Sequence, residues 1–410
     1  MPSQGQARAR PGGGILFILF LSYLLDCIDR QNIGYVQDAI RRSIGMSVEG
    51  YGLSAGIFFI GYILFEIPFS MLGTVVGERR LFTGIMILWG LVSVAMAAVQ
   101  TQWQFHGLRF LLGVFQAGFA PCVLYYLSAW YPPQRLASVV ALQQMGSPAA
   151  GILVGPLTGT IQTLGDGMLG LAGWQWVFVL EGLPSLLLGV IVFFYLPDTP
   201  SRRTGPVVSH GRDLFHALRD PVVYWMAIPY FAIICGIDTI SFWLPGMIRN
   251  SGIHSSVTVG FLGALSYLMT IFAMYVWARR TDRGGGRAGA VALPLMLGAA
   301  CLAVMPFVLH STAWVVGLAM LGNVLIYAAY AVFWAMPAGM IGSGPTGYAL
   351  INSIGLIGGF ASPVVIGRLY QSSGSLDTSL WLMGTVILVG AIGVFLAPAR
   401  YWVGRSGDNS

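Results

Sequence analysis

Twelve runs of roughly twenty predominantly apolar residues follow one another along this chain, and each is long enough to cross about 30 Å of hydrocarbon as a helix rising 1.5 Å per residue. They lie near 15–38, 51–73, 81–100, 105–131, 137–163, 174–196, 222–248, 256–278, 288–309, 313–341, 347–370 and 378–397, and are numbered below as spans 1 to 12. Glycine and proline inside them do not argue against helix, because neighbouring helices and local adjustments satisfy the freed backbone groups in a membrane bundle. The balance of residue types agrees: 56% are hydrophobic and 9% charged, too little polar surface to cover a soluble globule of 410 residues. The reading is an all-α integral membrane protein.

The basic residues orient it. All 21 are arginine, and fifteen of them fall on the side of the even-numbered loops and the two ends, against four (Arg41, Arg42, Arg249, Arg368) on the other side. By the positive-inside rule both termini are cytoplasmic, in a cell (inner) membrane. The net charge of +6 is then a topology signal, and no nucleic-acid partner is expected. Arg8 and Arg10 ahead of an apolar run imitate a secretory leader, yet no small-residue cleavage site follows and the run continues into the charged DCIDR, so it reads as span 1. Cys27, Cys122, Cys235 and Cys301 all fall in apolar spans with no paired spacing, which indicates neither a metal site nor a disulfide framework. No nucleotide-binding loop follows a strand, and the two histidines of the central polar stretch lack a nucleophile or carboxylate partner. Neither an enzyme nor a cofactor is expected, and movement driven by a gradient is the default.

The chain divides at its middle. A long polar stretch after FFYLPDTP (193–200), containing Arg202, Arg203, His210, Arg212, Asp213, His216 and Arg219, reads as a cytoplasmic linker over 199–220 between an N-terminal half, 1–198, and a C-terminal half, 221–410. GTVVGERR (73–80) after span 2 and ARRTDRGGGR (278–287) after span 8 are basic turns at matching places in the two halves, the mark of an internal duplication. Twelve helices in two pseudo-symmetric six-helix halves is the arrangement of the major facilitator fold.

Span 1 ends in LLDCIDRQNIGY (24–35), which places Asp26, Asp29 and Arg30 within about one turn. An ionisable group there costs roughly 2.5–3.5 kcal/mol on insertion scales, so it pairs or faces a watery cavity. Asp26 and Arg30 are four apart, on one face, and could form an internal ion pair or serve function.

LDCIDRQNIGYV, GLSAGIFFIGYILFEIP (52–68), LRFLLGVFQAGFAP (108–121), GWQWVFVLEGLP (173–184), FYLPDTP, SFWLP (241–245), FWAMP (333–337) and ALINSIGLIGGFASP (349–363) together resemble the anion:cation symporters. That branch of the major facilitator superfamily includes phthalate, tartrate, hydroxyphenylacetate and sugar-acid permeases, with vesicular glutamate transporters and sialin as distant members. The resemblance implies a small organic anion as cargo, protons as the coupled ion, the lipid bilayer as surroundings and a monomer. It implies that Arg30 binds the substrate carboxylate through its planar fork, with Arg109, Tyr62, Trp334 and Asn352 as further contacts, and that Asp29 titrates. Asp26, outside the family pattern, and Asp238, where members more often carry tyrosine or another neutral residue, are extra carboxylates that could share the proton coupling; a structural role for either stays open. Glu66 reads as structural. The sequence departs from the family at Gln116, which stands where the pattern has a glutamate, seven residues from Arg109 and on its face. Glutamine cannot titrate, so a uniporter, an exchanger or an exporter competes with proton symport, and a sensor on the same scaffold is a third reading. GILVGPLTG (151–159) resembles a glycine-rich motif associated with antiporters, but its physical content is close approach of spans 5 and 8.

Overall fold

The spans fold as helices whose ends are set by local chemistry. The computed structural model describes residues 13–131, 139–140, 142–197, 211–284, 287–334 and 344–396. Span 1 is Gly13–Gln31 continued through Asn32, whose backbone stays helical, by Ile33–Ile44. Spans 2 and 3 are Val48–Val76 and Glu78–Ala95, and span 4 is Gln102–Gln116 followed by Phe119–Trp130. Spans 5 and 6 are Gly146–Leu164 and Gly173–Tyr195, and a short helix, Gly211–Arg219, precedes span 7, Pro221–Asn250. Span 8 is Ser256–Leu268 continued by Thr270–Gly284, and spans 9 to 12 are Arg287–Val304, Thr312–Phe333, Gly344–Ser373 and Asp377–Leu396. Most of the expected linker, 198–210, and residues 335–337 of the FWAMP string lie outside the described residues.

Caps stop and start these helices where the sequence offers them. The Ser47 hydroxyl accepts from the Gly50 N–H at 2.9 Å, and Thr101 with Gln104 forms a reciprocal capping box at the start of span 4. Asp220 accepts from the Val222 N–H at 3.0 Å with Pro221 at the first helical position of span 7. Gly45, in the left-handed region at φ 66°, closes span 1.

Among the described residues, ten of the helices are long and apolar enough to cross a membrane on their own; the described parts of spans 1 and 5 are not, and these two pack on each other. Span 1 falls short because of its three charges, span 5 because of its glycine, proline and threonine. The outer surface carries large apolar side chains such as Leu187, Phe194, Phe272 and Phe395, all more than half exposed, a surface that hydrocarbon covers and water does not.

Packing repeats between the halves. Span 1 lies on spans 5 and 6 as span 7 lies on 11 and 12; span 3 lies on 6 as 9 lies on 12; span 2 lies on 4 as 8 lies on 10. The halves join along two seams, 2 against 11 and 5 against 8. In the second seam a Cβ on Gly155 would run into the Gly260 carbonyl, and one on Gly260 into that of Gly155, so only glycine allows this approach. The glycine-rich string of span 5 therefore does what packing alone predicts for it.

Polar bonds between the halves gather at the end of the bundle away from the termini. There Arg249 of span 7 lies 3.6 Å from Asp38 of span 1 and donates to the Tyr35 carbonyl at 2.5 Å, while the Tyr51 hydroxyl donates to the Phe242 carbonyl at 2.8 Å. The Val48 N–H donates to Gln371 Oε1 at 3.1 Å, and Glu49 lies 3.8 Å from Arg368. In this conformation the halves are closed on each other at that end.

Candidate functional site

The helical repeat splits the three charges of span 1 onto two sides. Arg30 Nη2 reaches Asp26 Oδ2 at 3.0 Å, one turn below it, and its guanidinium lies 5.0 Å from the Phe58 ring centre and 5.5 Å from that of Tyr62. The Arg30 side chain keeps 21% of its surface accessible against 3% for Asp26, so the cation is the exposed member of the pair. Its partners thus come from its own span and from the neighbouring span 2, and Asp238 of span 7 and Tyr330 of span 10 lie within its field. Asp238 is 7% exposed, and its Oδ2 has no hydrogen-bond partner. A buried carboxylate oxygen without a donor, within the field of that guanidinium, is an unmet hydrogen-bond demand.

Asp29 points the other way. Its carboxylate accepts from the Ser93 hydroxyl at 2.9 Å and the Ser185 hydroxyl at 3.4 Å, inside the N-terminal half between spans 3 and 6. Arg109 does not join Arg30 either. It is fully buried, donating from Nε to the Ser54 carbonyl at 3.2 Å and from Nη1 to the Asp29 carbonyl at 3.4 Å. Phe58 is the spacer, with the Arg109 guanidinium 5.3 Å from its ring centre and Arg30 also on that ring. In this conformation Arg109 and Asp29 belong to the interior of one half. Gln116 is also fully buried, with neither amide atom hydrogen-bonded, and span 4 breaks immediately after it.

The facing half is aromatic. Tyr230 stacks on Phe333 at 5.2 Å and on Tyr330 at 6.3 Å, and meets Trp334 edge-on at 4.9 Å. Its hydroxyl donates to Asn352 Oδ1 at 3.1 Å, and Asn352 Nδ2 donates to Glu66 Oε1 at 2.9 Å. That chain ties span 7 through span 11 to span 2, which gives Glu66 a bonded place at the interface. Arg30, Asp26, Tyr62, Asp238, Asn352 and Trp334 are thus arranged about the junction of the halves, while Asp29, Arg109 and Gln116 sit behind it.

Sequence reasoning missed the aromatic residues Tyr230 and Tyr330, although Tyr330 and Trp334 are four apart and share a face. It also passed over Glu181, the one acid of span 6, which accepts from Thr158 Oγ1 at 2.7 Å and Asn32 Nδ2 at 2.9 Å. The rarity of an acid in a transmembrane run was the available signal.

Comparison with known proteins places these observations. The sequence matches the family described as Major Facilitator Superfamily over residues 19–363. It is 37% identical over 399 residues, covering 92% of this chain and 88% of the other, to a protein of Agrobacterium vitis named for tartrate transport. It is 34% identical over 403 residues, covering 93% and 92% of the two chains, to a quinolone resistance transporter of Acinetobacter baumannii. Among solved structures the fold is similar to that of a D-xylose-proton symporter, with a TM-score of 0.81 at 14% identity and coverage of 96% and 99%. The expected family and twelve-helix fold are thereby borne out, and the chain is a multi-pass membrane transporter and not an enzyme: it belongs to the Major Facilitator Superfamily.

Proposed function

We propose that this transporter carries a small organic anion by alternating access, its two halves, 1–198 and 221–410, rocking about the site at their junction, and that uptake is driven by protons. The observation that carries the reading is Arg30, the more accessible member of its ion pair. One of its nitrogens is held by Asp26, and the guanidinium faces a carboxylate and an aromatic wall supplied by the opposite half. A substrate carboxylate competes with Asp26 for the planar fork. Asp26, Asp238, Tyr62, Trp334 and Asn352 complete the contact surface.

Linkage supplies the coupling. An anion on Arg30 removes the cation that favours ionised Asp26 and Asp238, so binding of the anion and uptake of a proton assist each other without any wire between sites. Asp29, buried behind the site, belongs to the same titrating set. The relative named for tartrate supports an anionic cargo.

The second reading, an uncoupled uniporter or an anion exchanger working in either direction, is favoured by Gln116, an amide where the family pattern has an acid, and by the resistance transporter among the relatives. Uptake into proteoliposomes separates them, with labelled tartrate and a panel of aromatic and sugar acids, an imposed pH gradient, and assays with and without anion inside. Acid-driven accumulation of one of these supports symport; rapid exchange with no response to the gradient establishes the exchanger.

The same proposal places both termini in the cytoplasm of a cell in whose inner membrane the protein works. A cysteine at Ser209, on a background lacking the native four, resists an impermeant thiol reagent in intact cells; labelling from outside overturns the orientation.

A further inference from the structure

Behind the site, the N-terminal half holds an acid that the transport reading does not use, Glu181, beside Asp29, which it does. Glu181 is 2% exposed and Asp29 1%, and the charge of Glu181 acts on Asp29. Asp26, one turn before Asp29, also acts on it but is balanced by its own partner, Arg30. Span 1 contributes Asp29 and Asn32, span 3 Ser93, span 5 Thr158, and span 6 Ser185 beside Glu181. Span 4 contributes Arg109, which donates to the backbone carbonyl of Asp29 and bonds neither carboxylate. With both acids ionised the cluster has two negative charges against one positive, in surroundings where an unbalanced charge is costly. One proton restores neutrality. Both acids have hydroxyl donors, but Arg109 lies against the backbone of Asp29 and within reach of its charge, whereas no cation lies near Glu181, so Glu181 is the place for that proton.

Asn32 supplies the reader. Its Nδ2 donates to Glu181 Oε2 at 2.9 Å while its own Oδ1, fully buried, has no partner. When a proton adds to Oε2, the new O–H becomes a donor, and an amide turned over about its axis accepts it through Oδ1. The same residue lies in span 1, two positions after Arg30, with its backbone bonded on both sides as in a helix.

We propose that Glu181 is a proton-binding site of the N-terminal half, read by Asn32 of span 1. This rests on the proton-coupled reading, yet it is tested with protons alone. Infrared difference spectra of the purified full-length protein between acid and alkaline buffer show buried carboxyl C=O bands that titrate, and Glu181→Gln removes one of them. Thr158→Val keeps the acid but takes away one donor to its ionised form, so it moves the midpoint of that same band towards higher pH. Asn32→Ala removes the partner of the protonated acid and shifts the frequency of that band. These two variants also serve if Glu181→Gln fails to fold. A spectrum unchanged by Glu181→Gln, or that band unaltered in both other variants, overturns the assignment. Failure of the symport reading shows elsewhere, as absence of acid-driven uptake in wild type, and leaves this band untouched.

Discussion

The two halves repeat one set of helix contacts with opposite chemistry. In the N-terminal half, spans 1, 4 and 6 bury Asp26, Asp29, Arg109, Gln116 and Glu181. Among the described residues of the C-terminal half, Asp238 is the one buried carboxylate, and Tyr230, Tyr330, Phe333 and Trp334 pack into an aromatic wall. Packing positions tolerate almost any apolar side chain of fitting size, and the close seams demand only small ones. A duplicated scaffold can therefore keep its geometry while one half becomes the charged half that grips and the other the aromatic half that shapes.

The comparison breaks most visibly at the two arginines. Both were expected to touch the cargo, but Arg109 is enclosed and bonded to backbone carbonyls of spans 1 and 2. Removing a bonded, buried charge costs about 3–5 kcal/mol, so Arg109→Met is expected to lower the melting temperature sharply and cut the yield of folded protein. Arg30→Met is expected to melt close to wild type. If melting by intrinsic fluorescence shows the reverse order, the assignment of the two arginines exchanges.

Next in size is Arg30→Lys. An ammonium cannot reproduce a two-nitrogen contact, and hydrogen bonds to charged groups are worth about 1.5–3 kcal/mol, so affinity falls roughly 10- to 100-fold with the fold intact. Shrinkage of anion-induced thermal stabilisation measures it, and full stabilisation would take Arg30 out of the binding surface.

The aromatic half gives smaller effects. Trp334→Leu leaves the charge contact and removes one ring of the wall, worth about 0.5–1.5 kcal/mol. An aromatic cargo should then bind about 2- to 10-fold more weakly by competition, and an aliphatic acid nearly unchanged; equal losses for both would deny the wall a part in selection.

Smallest is Tyr51→Phe, which deletes one hydrogen bond across the closed end. A net cost of about 0.5–1.5 kcal/mol shifts the conformers several-fold towards opening at that end, read by spin-label distances between spans 2 and 7. An unmoved distribution would show that the other bonds at that end suffice.

How much of this was legible beforehand differs between fold and site. The long apolar runs gave the spans and the arginine bias gave an orientation, while the caps at Ser47, Thr101 and Asp220 that set helix starts emerged only in the structure. Asp26 and Arg30, four apart, announced their contact. Asp29 and Arg30 are adjacent in sequence, and that adjacency placed them together, but the 100° turn per residue sends them to different neighbours. Tyr230, Tyr330 and Glu181 passed unmarked because a lone aromatic or acid has no local partner to give it meaning.

By itself, then, the sequence determined that this chain lives in a bilayer as twelve helices in two related halves, because span length, hydropathy and charge bias are local quantities that hydrocarbon reads directly. Only the tertiary structure decided that Arg30 faces the junction while Arg109 is walled off behind Phe58, and that Glu181 meets Asn32 from 149 positions away. Those outcomes depend on which faces of different helices pack together. A bilayer with no water in its core leaves each buried charge to be satisfied by whatever neighbour the packing brings.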